Sequence, residues 1–371
     1  MLTINDVQSS QDAARGAVLL GTGGGGDPYV GELFLRKQLA AGKYPTIVPA
    51  QALPDDAFVI SIAGIGAPTV LVEHLVSETA MRELLVNAEA FFKRRIDAFI
   101  SAEIGGANSM FPLALSAMTG LPVIDGDGVG RAVPHLEMTT FSINGCHACP
   151  GFFADDLGNH AAVQTTDDRT AEAIVRGLAG ALGGCIYGAL YPMSGRQAKD
   201  YAVHGTIGQT LAIGRAIRLA RENSADPVAQ LVDCLGQLDV QRAASRLFDG
   251  KIIDVSHETR DGHHWGEVRI QSLHSRADLL TVGIQNEYTV VRRNGRTVTV
   301  VPDLIGILDT ETAEPLTAEM LRYGARVSVI AFGAPAQLCT PRALEVVGPR
   351  QFGLDEDWRP FTELNALQVA V

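Results

Sequence analysis

The sequence predicts an α/β N-terminal domain followed by a mainly-β C-terminal domain. A chain of 371 residues is long for one hydrophobic core and suggests two domains. Residues 96–124 alternate an apolar run, a helical segment and a second apolar run, which is typical of a strand–helix–strand unit. From Phe248 onward, short β segments of alternating polarity dominate. We therefore expect residues 1–240 to form a mixed or parallel sheet with helices, and residues 241–371 to form the mainly-β domain.

The strand–helix–strand unit can be followed residue by residue. An apolar run that ends at Ala102 suits a buried strand. Asn108 or Ser109 can cap a helix over residues 110–119, which a glycine then ends. The apolar residues 121–124 predict the second strand.

Carboxylates follow both of these strands. Glu103 comes directly after the first strand, and Asp125 and Asp127 come after the second. If the strands are parallel, the three side chains lie at one edge of the sheet, where open α/β sheets bind ligands. We therefore predict that Glu103, Asp125 and Asp127 are catalytic. The alternative is that they cap helices and solvate loops.

Glycines, an amide and an arginine accompany these acids. Gly105 and Gly106 let the backbone turn sharply and approach a ligand closely. Arg131 has a planar fork of donors that can hold a substrate carboxylate through two parallel hydrogen bonds. We predict that Gly105, Gly106, Asn108 and Arg131 bind substrate.

A second glycine-rich segment, GTGGGGDP, occupies residues 21–28. A dinucleotide site needs a preceding strand and a GxGxxG frame, whereas residues 4–20 have helical spacing, so nucleotide binding is not favoured. We predict instead a ligand cradle whose N–H groups lead into a helix over residues 29–41. The alternative is a flexible turn between two helices. The residues assigned to the cradle are Gly23, Gly24, Gly25, Gly26 and Asp27.

Composition excludes several classes of function. The formal net charge of −12 argues against a nucleic-acid partner, because phosphate binding needs clustered lysines and arginines. The first residues lack the basic and apolar regions of a signal peptide, and no apolar run approaches the roughly 20 residues of a membrane span. Five cysteines, an odd number, fit reduced thiols. We expect a cytoplasmic protein with a small-molecule substrate and no membrane partner.

Cysteines and histidines suggest metal sites only weakly. Residues 146–149 read Cys-His-Ala-Cys, but no second pair has suitable spacing for zinc, and the alternative is two half-buried thiols. His204 could be a general base, although a histidine at a helix boundary is more often a cap. His257, His263 and His264 lie on a predicted hairpin, where a solvated turn is the alternative to a metal site.

The predicted C-terminal domain carries one polar interruption. Gln285, Asn286 and Glu287 break a series of apolar β segments, and they could reach across to the acids of the first domain. We predict that Asn286 and Glu287 bind substrate. The dipeptide at residues 294–295, Asn-Gly, predicts a tight hairpin turn.

Seven segments, in order along most of the chain, resemble those of the S-methyl thiohydantoin desulfurase family, which was long catalogued only as a domain of unknown function. The segments are GTGGGGDP (21–28), SAEIGGANSMFPL (101–113), GLPVIDGDGVGRAVP (120–134), IQNEY (284–288), PDLIGILD (302–309), LRYGARV (321–327) and VGPRQFG (347–353).

The resemblance implies a C-terminal domain of swivelling type and hydrolysis of a five-membered cyclic amide. In the named activity, water replaces methanethiol at the ring carbon of an S-methyl thiohydantoin and leaves a hydantoin. Members often sit beside, or are fused to, hydantoinase A-type proteins. At position 135, a further substrate-binding candidate, the resemblance leads us to expect an acid, whereas this chain has His135. If this residue or the segment 145–149 departs from the family at a site position, the substrate differs from that of the named enzyme. The site positions that carry over are Glu103, Asn108, Asp125, Asp127, Arg131, Asn286 and Glu287.

The candidate site residues are compatible with either a metal-free or a metal-assisted form of this hydrolysis. Glu103 or Asp125 can be the base that activates water, if like-charge repulsion raises its pKa. Residues 23–26 can present N–H groups to a ring carbonyl. Alternatively, the acids bind a divalent metal that activates the water. We slightly favour the metal-free form, because no histidine pair has convincing ligand spacing.

Two other functions stay open, and they are ranked below the hydrolase. The chain could be a non-catalytic subunit of a hydantoinase A-type partner, which would require a large exposed apolar patch. It could also be a nucleotide-dependent enzyme, which would require a strand immediately before Gly21. A homo-oligomer is expected only because small-molecule enzymes are commonly symmetric assemblies.

Overall fold

The computed structural model describes residues 2–66, 70, 76–239, 242–260 and 263–369. These residues form a mixed sheet with helices in the N-terminal part and a curled antiparallel sheet in the C-terminal part. The predicted fold class is therefore confirmed. The predicted domain boundary falls on two residues outside the described ones and stays a prediction.

Helices pack mainly against the N-terminal sheet. The first begins with a capping box, in which Asp6 accepts the backbone N–H of Ser9 at 2.7 Å. The helices are α1 (Val7–Leu20), α2 (Tyr29–Ala40), α3 (Glu78–Phe92), α4 (Met110–Thr119), α5 (Thr140–Ile143), α6 (Asp168–Ala181), α7 (Gly195–Tyr201), α8 (Thr206–Glu222), α9 (Pro227–Leu238), α10 (Pro341–Val347) and α11 (Phe361–Val369).

The N-terminal sheet has the strand order β1-β4-β3-β2-β7-β5-β6, and β8 pairs with β4. The pairs among β1, β4, β3 and β2 are parallel, and the remaining pairs are antiparallel. The strands are β1 (Thr46–Val48), β2 (Phe58–Gly66), β3 (Ala98–Ser101), β4 (Pro122–Asp127), β5 (Gly151–Ala154), β6 (His160–Val163), β7 (Cys185–Ser194) and β8 (Val203–His204).

The predicted strand–helix–strand unit is observed as β3, α4 and β4. The two strands are parallel, with Phe99 opposite Val123. Both faces of the sheet are covered, because the adjacent residues Val59 and Ile60 of β2 belong to different buried clusters. Burial on both faces explains why these strands read as continuous apolar runs.

The C-terminal sheet is antiparallel throughout, in the order β13-β12-β11-β10-β9-β15-β14. The predicted Asn-Gly turn is present, because Asn294 and Gly295 have φ angles of 51° and 82° between β12 and β13. Several register shifts interrupt the ladders and promote curling. The strands are β9 (Ala244–Arg260), β10 (His263–Ser272), β11 (Leu279–Gln285), β12 (Glu287–Arg293), β13 (Arg296–Val300), β14 (Leu304–Asp309) and β15 (Arg326–Phe332).

The two glycine-rich segments pack backbone against backbone. The N–H of Ala107 donates to the carbonyl of Gly25 at 2.9 Å. A Cβ atom on Gly106 would lie 2.2 Å from that same carbonyl oxygen, and one on Gly105 would lie 2.7 Å from the Cα of Gly21. Glycine is therefore required here by the close approach of the two segments.

The first glycine segment also contacts the C-terminal sheet. The N–H of Tyr288 donates to the carbonyl of Thr22 at 2.6 Å, and the N–H of Ala318 donates to that of Gly23 at 2.8 Å. A Cβ atom on Gly23 would lie 2.6 Å from the ring of Tyr288. The segment thus connects the two sheets.

We predict that Gly106→Ala destabilises the protein far more than Gly120→Ala. Both glycines have a left-handed φ, +74° and +81°, so each alanine costs about 1 kcal/mol in backbone strain. Only the alanine at 106 also meets a backbone atom, because nothing lies within 4 Å of a Cβ on Gly120. Overpacking should add about 1–3 kcal/mol to the loss in the free energy of unfolding, measured by urea titration. Equal losses would contradict the packing argument.

Candidate functional site

A cavity of about 320 Å³ lies where the glycine segment, the edge of the N-terminal sheet and the β11–β12 turn meet. Both sheets contribute to its walls. It brings together eight of the predicted site residues: Gly24, Gly25, Gly26, Glu103, Asn108, His135, Asn286 and Glu287.

Glu103 lies at the carboxyl end of β3, as its position in the sequence predicts. Its side chain accepts hydrogen bonds from the amide of Asn108 at 2.9 Å and from the N–H of Val133 at 3.0 Å. Asn108 also accepts the N–H of Gly64 at 2.8 Å, so it links the ends of β2 and β3 and orients the carboxylate. Burial raises the pKa of Glu103 to about 7, although these two hydrogen bonds oppose the shift.

Glu287 reaches the same cavity from the C-terminal sheet. Its side chain is only 2% exposed, and its Oε2 has no hydrogen-bond partner among the described residues. Burial, followed by repulsion from Glu103, raises the pKa of Glu287 to about 8, while Arg131 opposes this shift. A Cβ atom on Gly24 would lie 2.3 Å from Oε1, so the glycine makes room for this carboxyl group.

Two glycines that line the cavity have backbone N–H groups that no described residue accepts. Gly25 and Gly26 both have φ near +74°, and no hydrogen bond between described residues uses either N–H. These groups are available to a ligand carbonyl. Asp27 is exposed and accepts the N–H of Tyr29, the first residue of α2, at 2.9 Å, while Gly23 packs against Tyr288 of the C-terminal sheet.

Asp125 lies outside the cavity walls. Its Oδ1 accepts the N–H groups of Ile207 and Gly208, at 2.9 and 3.1 Å, at the start of α8. Burial raises its pKa, and these two hydrogen bonds oppose the shift. This is the geometry of the capping alternative, so the catalytic role predicted for Asp125 has no support from its position.

Asp127 is completely buried and also lies outside the cavity walls. Its Oδ2 accepts the N–H groups of Ile104, Val129 and Gly130 at 2.7–2.9 Å. Burial raises its pKa to about 7. Because Ile104 directly follows Glu103, Asp127 holds the backbone just after β3 in place.

Arg131 uses its donors within the protein. Its guanidinium, 1% exposed, donates to the carbonyls of Ala132, Pro302 and Asp303 and to the hydroxyl of Thr22, at 2.9–3.2 Å. It does not line the cavity, so the predicted carboxylate contact is not supported by this geometry. Burial lowers its pKa to about 10, which leaves it charged at neutral pH. Gly105 and Gly106 likewise serve backbone packing.

Two polar residues that the sequence did not indicate, Glu172 and Arg176, line the cavity together with the predicted His135. Glu172 of α6 lies 3.9 Å from His135 and accepts a hydrogen bond from Arg176 at 2.9 Å. Burial raises the pKa of Glu172, but His135 and Arg176 lower it more, so it stays below its ordinary value. A Glu–Arg pair four residues apart is common on helices, so it is a weak signal for a site.

Tyr191, with φ of 49°, also lines the cavity and donates to the carbonyl of Leu136 at 2.7 Å.

The β11–β12 turn brings a histidine to the cavity. Asn286 has a left-handed φ of 56°; its N–H donates to the carbonyl of His264, and its side chain accepts the N–H of that residue. His264 lines the cavity, and its Nε2 lies 2.9 Å from Nδ1 of His257. Glu319 lines the cavity as well. The side chain of His263 lies outside the described residues.

The other sequence motifs lie elsewhere. Cys146 and Cys149 are buried free thiols, and burial raises the pKa of each to about 11. His147 contacts Asp168 at 3.1 Å. His204 is exposed and contacts the carbonyl of Lys199. In the described part of the chain, no group of three or more His, Cys, Asp or Glu side chains is arranged to hold a metal ion.

Two further findings concern alternatives raised by the sequence. The segment before the glycines is helix α1 rather than a strand, which counts against a dinucleotide site there. None of the described helices combines the length and the apolar character needed to cross a membrane.

Comparisons with known proteins give a family and a fold. Family models described as the N-terminal and C-terminal domains of S-Me-THD-like proteins match residues 8–165 and 166–361. A crystal structure of a protein from Chromobacterium violaceum is similar, with a TM-score of 0.79, 20% sequence identity, and coverage of 97% of this chain and 100% of that one. No curated protein matches significantly. The chain therefore belongs to the S-Me-THD-like family.

Proposed function

We propose that this protein hydrolyses a small five-membered cyclic amide or thioamide, of the S-methyl thiohydantoin type, to the corresponding hydantoin. Family membership supports the substrate class. The observation that carries the proposal is the pair of buried glutamates, Glu103 and Glu287, which come from different sheets and line one cavity. Two carboxyl groups with different raised pKa values can divide the roles of base and acid.

Glu103 is the general base in this proposal. With a pKa of about 7, a substantial fraction is ionised at neutral pH and can take a proton from water. The water oxygen bonds to the ring carbon of the C=N group. Asn108 holds the carboxylate toward the substrate, and the N–H groups of Gly25 and Gly26 bind the ring carbonyl.

Glu287 is the general acid. With a pKa of about 8 it is mostly protonated at neutral pH, and it donates its proton to the ring nitrogen as that atom receives the electron pair of the C=N bond. The tetrahedral carbon then expels methanethiolate: the C–S bond breaks, a C=O bond forms, and the hydroxyl proton returns to Glu287. The products are a hydantoin and methanethiolate, and Glu103 holds one proton.

We predict that Glu103→Gln lowers the rate of thiol release from an S-methyl thiohydantoin by about 10²–10⁴-fold, because glutamine cannot accept the proton. A matched control is Glu32→Gln. Glu32 is also a buried glutamate, 3% exposed, but it contacts Ser10 and Arg36 away from the cavity. Thiol release and ring absorbance should be followed over a panel of hydantoins, thiohydantoins and their S-methyl derivatives.

The same panel tests the proposal as a whole. If the wild type shows no turnover and a hydantoinase A-type partner restores activity, the hypothesis that the protein hydrolyses the substrate alone would be rejected, and the accessory-subunit alternative would be favoured. Parallel assays with and without chelator test whether a divalent metal takes part. Equal activity of wild type and Glu103→Gln would remove Glu103 from the mechanism.

We predict a bell-shaped pH dependence of kcat/KM. Activity should rise through about pH 7 as Glu103 ionises, and fall through about pH 8 as Glu287 loses its proton. Because the two groups interact, the measured limbs belong to the pair rather than to either residue. In Glu287→Gln the residual activity should lose the alkaline limb. Retention of that limb would exclude Glu287 as the acid.

A further inference from the structure

The histidine pair on β9 and β10 is not used by the reaction just described. His264 Nε2 and His257 Nδ1 lie 2.9 Å apart, and the ring centroids are 4.8 Å apart. At this distance one nitrogen must carry a proton and the other must accept it. The nitrogens left at the two ends of the pair are Nδ1 of His264 and Nε2 of His257.

The pair connects the cavity to solvent. His264 is half-buried and lines the cavity, whereas His257 is exposed. Asn286 holds the backbone of His264 by two hydrogen bonds, at 2.7 and 2.8 Å, and the next residue is Glu287. Glu319 also lines the cavity. The imidazole of His264 therefore shares a cavity wall with the proposed acid.

The proposed hydrolysis leaves a proton imbalance. Methanethiolate departs without a proton, and Glu103 retains the one taken from water. Glu103 and Glu287 are only 9% and 2% exposed, whereas the histidine pair reaches solvent, so the pair can supply a proton to the leaving sulfur while the product still fills the cavity.

We infer that His264 is a further catalytic residue, which donates a proton to the departing methanethiolate. The S–H bond forms as the C–S bond breaks. His257 then passes a proton from solvent to His264 through the shared hydrogen bond, and Glu103 returns its proton to solvent after the product leaves. One proton enters and one leaves in each turnover. This inference rests on the proposed function.

The dependence on the leaving group tests this role directly. His264→Gln should lower kcat by about 10²-fold for an S-methyl thiohydantoin, as expected for loss of a general acid. The same variant should lose little with an S-(4-nitrophenyl) analogue, because that thiolate leaves without protonation. Added imidazole should restore a saturable part of the lost S-methyl activity.

Two companion variants separate chemistry from folding. His257→Gln alters only the exposed member of the pair, and its S-methyl activity should fall less and also recover with imidazole. His274→Gln is the matched control, because His274 is an exposed histidine that follows β10 outside the cavity. Its activity should equal that of the wild type.

The outcomes distinguish failure of the role inferred for His264 from failure of the proposed hydrolysis. Equal losses by His264→Gln on both substrates, or no loss at all, would overturn the inference while the hydrolase itself stands. A wild type that releases no thiol from either substrate would overturn the proposed function, and the role of His264 with it.

Discussion

The close approach of two glycine-rich segments is the constraint on which the site depends. Residues 21–26 and residues 105–106 meet at backbone distance, and the same segment contacts Tyr288 on the opposite side. A Cβ atom on Gly25 or Gly106 would lie within 2.4 Å of a backbone oxygen of the facing segment. Because Gly24, Gly25 and Gly26 line the cavity, its shape depends on how this segment packs. Glycine is thus required at this contact because a larger residue does not fit. The same backbone path leaves the N–H groups of Gly25 and Gly26 without an acceptor among the described residues.

The second requirement is electrostatic. Glu103, Asp127 and Glu287 are all buried, and burial raises the pKa of each to between about 7 and about 8. A folded-state pKa above the ordinary value means that folding favours the protonated form. Stability therefore falls as pH rises above the ordinary pKa values, 3.8 for Asp127 and 4.5 for the two glutamates, up to the folded-state values of about 7 to about 8. Arg131 opposes the shifts of Glu103 and Glu287, while its own donors are held by Thr22 and by backbone carbonyls.

The acids differ in where their side chains lie. Asp125 and Asp127 come at the end of a predicted strand, as Glu103 does, yet both accept backbone N–H groups and lie outside the cavity walls. Glu287 comes from the other sheet and completes the pair with Glu103. A cavity assembled in this way depends on the contact between the two sheets, to which the Thr22–Tyr288 hydrogen bond and the contacts of Arg131 contribute.

The sequence by itself determined the fold class, the β3–α4–β4 unit and the Asn-Gly turn, because apolar periodicity and turn residues are local signals. It also indicated Glu103, Asn108, Asn286 and Glu287, all of which line one cavity. Only the tertiary structure decided which acids face that cavity. The burial of Arg131, the approach of Glu172 and Arg176, and the pairing of His264 with His257 depend on contacts between distant segments, which local patterns do not encode.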